Sequence, residues 1–329
     1  MKQIQYVIFF FLIFIHSAQA ATVGFAAAAG GLGDNGFNDM TYTGLRKAQQ
    51  QYGFRLVLAE AEKTGIAAEA ELENILKQSD VIVFLGDQYK DLCRIAAEKY
   101  PKKHFLILDV EMKDLPNLVS VTFKQHEGSY LAGVLAGSMS KTGSVGFAGG
   151  AEIAVIHAFR VGYEEGVRYA NPIVKIISSF ASGPDDYSGF DKPEKGFEMA
   201  SQQYAQGADI IFAAAGLTGN GVIEAARRHK KFVIGVDSDQ DAMAKGYVLT
   251  SMIKRLDTAV FNEISNFMEK RFEPGNRKYG LKEKGVSLSE MKYTKQLIPK
   301  EVSEKIVSAE EKIVSGQIKV SNYLESVSK

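Results

Sequence analysis

The 329-residue chain has no tryptophan and one cysteine, Cys93. An intrachain disulfide is therefore impossible. The thiol falls on an apolar helical pattern (Leu92, Ile95, Ala96), where an unpaired cysteine packs as a small hydrophobe. An excess of either charge is also lacking: 39 Lys and Arg balance 39 Asp and Glu, with no polybasic arm. Nucleic acid and anionic membrane surfaces, which require a concentrated basic patch, are poor candidates for partners. Histidine is sparse, and beyond the first twenty residues His104, His126, His157 and His229 stand singly. No H-E-x-x-H, G-x-S-x-G or C-x-x-C occurs, so these spacings assemble neither a metal centre nor a nucleophile with its base. The chain reads as a binding protein rather than an enzyme, with no cofactor.

The only long apolar run lies at the start. Lys2 precedes the stretch Tyr6 to Ile15, and His16-Ser17-Ala18-Gln19-Ala20 puts small residues where a signal peptidase reads. A run of about ten residues falls short of the ~20 that a membrane-spanning helix needs. Residues 1–20 are thus expected to be a secretory signal cleaved after Ala20. No cysteine adjoins that point, so the product is expected to be periplasmic or secreted and not lipidated. Loss of Lys2 with the signal leaves a net charge of −1. The remaining length suits two cored domains.

From Thr22 onward, short apolar runs alternate with longer amphipathic segments. Strands are predicted at Thr22–Ala28, Arg55–Ala59, Val81–Leu85, His104–Asp109 and Leu118–Phe123, with helices such as Asn38–Tyr52 and Ala67–Gln78 between. Repeated βαβ units imply a parallel sheet covered by helices on both faces. The pattern restarts with a helix at Gly128–Ser140 and strands at Ser144–Ala148, Val174–Phe180, Ile210–Ala214, Phe232–Val236 and Val248–Ile253. The fold class is α/β, with two doubly wound lobes joined by a short hinge near Thr122–Gln125. The expected division is residues 21–123 plus about 255–284 for the first lobe and 124–254 plus about 285–295 for the second. Glu273–Lys284 is polar and reads as a surface loop. In residues 296–329, Val302, Ile306 and Ile313 recur at helical spacing and predict a C-terminal amphipathic helix.

The first strand runs into Gly30-Gly31-Leu32-Gly33-Asp34-Asn35-Gly36, which formally contains the G-x-G-x-x-G of dinucleotide sites, and Glu60 falls near the position of a ribose-binding acid. In that motif bare amides at a helix N-terminus hold pyrophosphate, and Asp34 would bring a like charge to the same place. The loop reads instead as one that offers amides, Asp34 and Asn38 to a neutral polar ligand. A loop of the same design, Phe212 to Gly221, occurs in the second lobe. Small residues there let a ligand approach the backbone. Acids cluster at strand ends, Asp109 after Phe105-Leu-Ile-Leu108 and Asp237 with Asp239 after Phe232-Val-Ile-Gly-Val236. Each could equally cap a helix. The series Asp237, Asp239, Asp241 is not an EF-hand, since Ala242 and Val248 stand where Gly and Glu are needed.

Six strings together resemble the basic membrane protein, or purine nucleoside receptor, type of ABC-transporter solute-binding proteins. They are GDNGFND (Gly33–Asp39), FRVGYEEG (Phe159–Gly166), SGFDKPEKG (Ser188–Gly196), QGADIIFAAAGLTGNGV (Gln206–Val222), VIGVDSDQ (Val233–Gln240) and TSMIKRLD (Thr250–Asp257). The resemblance spans nearly the whole chain after the signal. It implies a type I periplasmic-binding-protein fold whose lobes close over a nucleoside, purine favoured, for delivery to a membrane ABC permease, the protein acting as a monomer. By the same resemblance Phe37 and Phe190 match the aromatics that sandwich the base, and Asp109 matches an acid facing it. Asp237 and Lys254 match the groups that hold ribose hydroxyls, and Gly216 a close backbone approach. Asn38 and Asp34 would add polar contacts. Ala28 stands where the family commonly carries an acid, so the resemblance does not settle the base. A ligand-sensing module docking on a membrane receptor is the alternative reading. An extracytoplasmic NAD-dependent or nucleoside-hydrolysing enzyme is less favoured.

Overall fold

The computed structural model describes residues 20–62 and 65–327, so the expected signal segment, Ala20 excepted, lies outside the described residues. The first half builds β1 (Thr22–Ala26), α1 (Phe37–Tyr52), β2 (Arg55–Ala59), α2 (Glu69–Gln78), β3 (Val81–Leu85), α3 (Lys90–Lys99), β4 (His104–Leu108) and β5 (Leu118–Phe123). The second half begins with α4 (Gln125–Met139), β6 (Ser144–Ala151), α5 (Ala154–Ala170), β7 (Lys175–Ser182), α6 (Pro193–Ala205), β8 (Ile210–Ala214), α7 (Leu217–His229), β9 (Phe232–Asp237) and β10 (Val248–Lys254). It ends with α8 (Leu256–Met268), β11 (Gly275–Tyr279), β12 (Val286–Leu288), α9 (Lys300–Val314) and α10 (Tyr323–Val327).

Two six-stranded sheets result, ordered β11-β5-β4-β3-β1-β2 and β12-β10-β9-β8-β6-β7. All pairings are parallel except β12 on β10. Helices cover both faces, and every residue of the central strands β1, β3 and β8 is buried, all of them apolar but Thr22. Gly53 ends α1 in the left-handed conformation (φ 71°), and Pro193 opens α6 where its missing N–H costs nothing.

The chain passes between the sheets after β5, after β10 and after β11. The crossings lie side by side: the Lys124 amide donates to the Tyr279 carbonyl (2.8 Å), and the Arg255 amide to the Gly285 carbonyl (2.9 Å). The three crossings thus form one narrow junction between the lobes.

One sequence expectation fails here. The segment Glu273–Lys284 is not all loop, because Gly275–Tyr279 forms β11 in register with Val119–Phe123. Its sequence, GNRKY, lacks apolar alternation, and its half-exposed edge position asks for none. Backbone pairing with β5 enlists it, helped by the Tyr279 ring on Phe123 and by an ion pair of Arg277 with Glu263. The short strand β12 likewise left no signal. The expected C-terminal helix is α9, which buries Val302, Ile306 and Ile313 and packs on α4. No described helix is long and apolar enough to cross a membrane.

Candidate ligand-binding site

A cavity of about 70 Å³ lies between the lobes, lined by residues of both. Its walls come from the carboxyl ends of strands in both sheets. Ala28 and Ala29 follow β1, Asp87 follows β3 and Asp109 follows β4; opposite them stand Gly216 after β8, Asp237 at the end of β9 and Lys254 at the end of β10. In open α/β sheets this is where loops leave the core free to carry ligands.

Seven of the eight expected site residues line this one cavity: Asp34, Phe37, Asp109, Phe190, Gly216, Asp237 and Lys254. Asn38 does not. It is fully buried behind the wall, where its Oδ1 accepts from the Ala28 amide (2.8 Å) and its Nδ2 donates to Asp34 (3.0 Å) and to the Ala29 carbonyl (3.4 Å). Its side chain thus ties the start of α1 to the end of β1, and no polar atom is left to face a ligand.

Asp34 is also committed to the loop. Its carboxylate accepts from the amides of Gly36 (2.8 Å), Asn38 (2.9 Å) and Asp39 (3.2 Å). Those amides open α1, and in a dinucleotide site they would hold pyrophosphate. The glycine motif here is a self-capped helix start. Burial pushes the Asp34 carboxyl above its ordinary range, against the pull of the same hydrogen bonds.

Asp109 and Asp237 occupy matching positions at the ends of β4 and β9. Both have left-handed backbones, φ 64° and 65°, a conformation that aspartate tolerates better than most residues. Lys254 forms an ion pair with Asp109, with side-chain exposures of 1% and 7%. Its ammonium also lies 4.9 Å from the ring centroid of Phe37, 5.3 Å from that of Phe123 and 5.5 Å from that of Phe159. These ring faces and the carboxylate offset the cost of burying the charge. The resemblance assigned Asp109 to the base and Lys254 to the ribose hydroxyls, and the structure sets the two side chains in contact. Asp237 is buried with its Oδ1 unpartnered. Burial, opposed by Lys254 and reinforced by Asp109 and Asp34, pushes its carboxyl up to about 7.

Phe190 ends a turn of 3-10 helix, Tyr187–Phe190, and is seated on two glycines. A Cβ on Gly150 would lie 2.3 Å from its ring, and one on Gly216 would lie 3.4 Å from its Cβ. Gly216 has φ 55° and ψ −137°, a conformation closed to residues with side chains. Its close backbone approach is therefore made, in this structure, to Phe190.

Sequence reasoning missed Asp87, Gln88, Phe159 and Tyr187, which also line the cavity. Asp87 had a usable signal: like Asp109 and Asp237, it is an acid just past a buried strand. Phe159 and Tyr187 had none, because aromatic residues on a helix and in a polar loop look the same wherever they point. Direct contacts join the lobes at the rim, where Gln240 Nε2 and the Ser238 hydroxyl both donate to the Asn35 carbonyl. Across the described residues no cluster of metal-ligating side chains occurs.

The family described as "ABC transporter substrate-binding protein PnrA-like" has a model that matches residues 21–323. The chain is 36% identical over 326 residues to a protein of Listeria innocua named CD4+ T-cell-stimulating antigen, covering 92% of this chain and 89% of that one. It is 34% identical over 304 residues to basic membrane protein A of Borreliella burgdorferi, covering 90% and 86%. Among solved structures, an ABC-transporter solute-binding protein from Aeropyrum pernix K1 is similar with a TM-score of 0.81 and 25% identity, covering 92% of this chain and 93% of that one. The matching strand-end cavity, the two parallel-sheet lobes and a family match over nearly the whole chain agree, and the chain belongs to the PnrA-like family of ABC-transporter substrate-binding proteins.

Proposed function

We propose that the cleft captures a nucleoside, purine favoured, for an ABC permease, and that the protein performs no covalent chemistry on it. The observation that carries this reading is that Phe37 of one lobe and Phe190 of the other line one cavity whose charged groups are carboxylates and a single lysine. Aromatic faces suit a flat base, and stacking is worth ~1–3 kcal/mol per base in nucleic-acid systems. Carboxylates accept from ring N–H groups and ribose hydroxyls, and Asp237 keeps a free oxygen for this purpose. Lys254, beside Asp109, supplies a donor at the same end of the cavity. A ligand touching both walls favours the closed form by that difference in contacts. The protein is taken to act as an exported, unlipidated monomer.

Native mass spectrometry of the purified protein tests the proposal directly. A retained adduct with the mass of a nucleoside, exchangeable for added inosine or guanosine, is the expected result. Binding of sugars and of no nucleoside would overturn it.

A further inference from the structure

We infer that Gln240 is a positioning residue that clasps the rim of the cleft shut, so that its loss weakens every ligand by the same factor and leaves selectivity unchanged. The inference rests on the cleft's being the ligand site, as proposed above, but not on which ligand fills it.

The clasp is one peptide group of the first lobe met by two donors of the second. Gln240 Nε2 donates to the Asn35 carbonyl (3.0 Å), and the Ser238 hydroxyl donates to the same oxygen. The lobes also touch beside this point, since a Cβ on Gly36 would lie 3.6 Å from Asp237 Oδ2. Asn35 stands just before Phe37 in the chain and Ser238 directly follows Asp237, so the clasp adjoins a cavity residue of each lobe. Asn35, Ser238 and Gln240 are not themselves among the residues that line the cavity. Their contact joins lobe to lobe and is indifferent to what lies inside.

Both halves of the clasp are fixed by their own lobes. The Asn35 amide donates to Asp39 Oδ2 (2.8 Å) and the Gly36 amide to Asp34 Oδ1 (2.8 Å), so the peptide between these residues is held with its carbonyl toward the second lobe. Gln240 is 3% exposed. Its backbone amide donates to the Ser251 hydroxyl (3.0 Å), and its Oε1 accepts from the Val236 amide (3.0 Å). A Cβ on Gly235 would lie 2.5 Å from that Oε1, so the glycine leaves the room in which the side chain folds back. With Oε1 committed to an N–H, Nε2 is the end that faces the first lobe. Opening the cleft returns Nε2 and the Asn35 carbonyl to water, so the bond favours the closed form by the modest net worth of a hydrogen bond. Apparent affinity follows the population of the closed form, whatever the ligand. The effect should fall on escape more than on entry.

The test uses the full chain and three proteins: wild type, Gln240→Glu and Ser238→Ala. Inosine and adenosine are the probes, with dissociation followed by stopped flow at about pH 8, where an introduced carboxyl is ionised and cannot donate. Gln240→Glu keeps an oxygen for the Val236 amide and turns the other end from a donor into an acceptor facing the Asn35 carbonyl. Its dissociation rates are expected to rise about tenfold for both nucleosides, with their ratio and the ligand-free melting temperature little changed. Ser238→Ala deletes a half-buried hydroxyl and should raise both rates about threefold, and it carries the test alone if Gln240→Glu melts early. Unchanged dissociation in the folded variants, or a shifted ratio of inosine to adenosine, would overturn the clasp. If wild type binds neither nucleoside, small-angle X-ray scattering of the proteins as purified decides. A larger radius of gyration in the variants keeps the clasp while the nucleoside reading falls, and an equal radius overturns both.

Discussion

Lys254 and Asp109 form a buried ion pair across the cleft, one at the end of a strand in the second sheet and the other just past a strand in the first. Such a pair differs from one inside a single lobe. Opening the cleft returns both charges to water, so losing one partner penalises closure rather than folding. Lys254→Met, which keeps the stem against Phe37 and Phe159, is expected to weaken ligand binding at least tenfold while moving the ligand-free melting temperature little. The variant Asp109→Asn/Lys254→Met, with no buried charge left over, should close more readily than either single substitution. Calorimetry and X-ray scattering read both effects, and wild-type affinity in Lys254→Met would refute the role.

Phe37 and Phe190 should separate from core phenylalanines by what their loss affects. Replacing either with Ala is expected to reduce nucleoside affinity about tenfold or more, corresponding to the ~1–3 kcal/mol of a lost stack. Phe147, which is fully buried beneath the second sheet's helices, is the control. Phe147→Ala should cost ~3–5 kcal/mol of stability by leaving a cavity. Titration and thermal melts of the three variants would expose a misassignment if Phe37→Ala or Phe190→Ala behaved like Phe147→Ala.

Asp237 should leave a mark on the pH dependence of stability. Its carboxyl is pushed up to about 7, chiefly by burial, so the folded protein holds a proton that the unfolded chain releases near pH 4. The stabilisation is full below pH ~4, declines as pH rises through about 7 and is then flat, a change on the order of a few kcal/mol. Asp237→Asn cannot ionise and should lack this part of the slope. Denaturant melts of both proteins from pH 4 to 8 measure the difference, and parallel profiles would contradict the assignment.

Nucleotides should bind far more weakly than nucleosides. Asp34, Asp87 and Asp109, joined by Asp237 as pH rises past about 7, line the cavity against the single cation Lys254, which is already paired. A 5′-phosphate carries up to two further negative charges into a poorly solvated space, at a cost of several kcal/mol. Inosine and adenosine titrated beside their monophosphates at fixed salt are expected to show at least a hundredfold preference for the nucleoside. Equal affinities would remove the charge argument.

Much of this was legible in the sequence because burial leaves a local record. A strand covered on both faces, such as Val81–Leu85, must be apolar throughout, and helices such as α9 must repeat their apolar residues at helical spacing. The acids at Asp109 and Asp237 stood out for the converse reason, as polar residues following runs that had to be buried. Where local polarity is uninformative the reading failed. The strand at Gly275–Tyr279 is recruited by its backbone, and Asn38 is as polar as a ligand contact while serving only to close its own loop.

The sequence by itself determined the two parallel-sheet lobes, which follow from the spacing of apolar runs, and pointed to the family through the resemblance of six strings, while β11 and β12 escaped it. Only the tertiary structure decided which polar residues face the cavity and which partners they already have. It shows Asp34 spent on the amides of α1, and it joins Lys254 to Asp109, 145 residues away. It also brings Tyr187 of the second lobe against Gly65 of the first. The physical reason is that a side chain's chemistry is carried by its own residue, whereas its occupancy depends on groups that meet only when the two lobes fold and close upon each other.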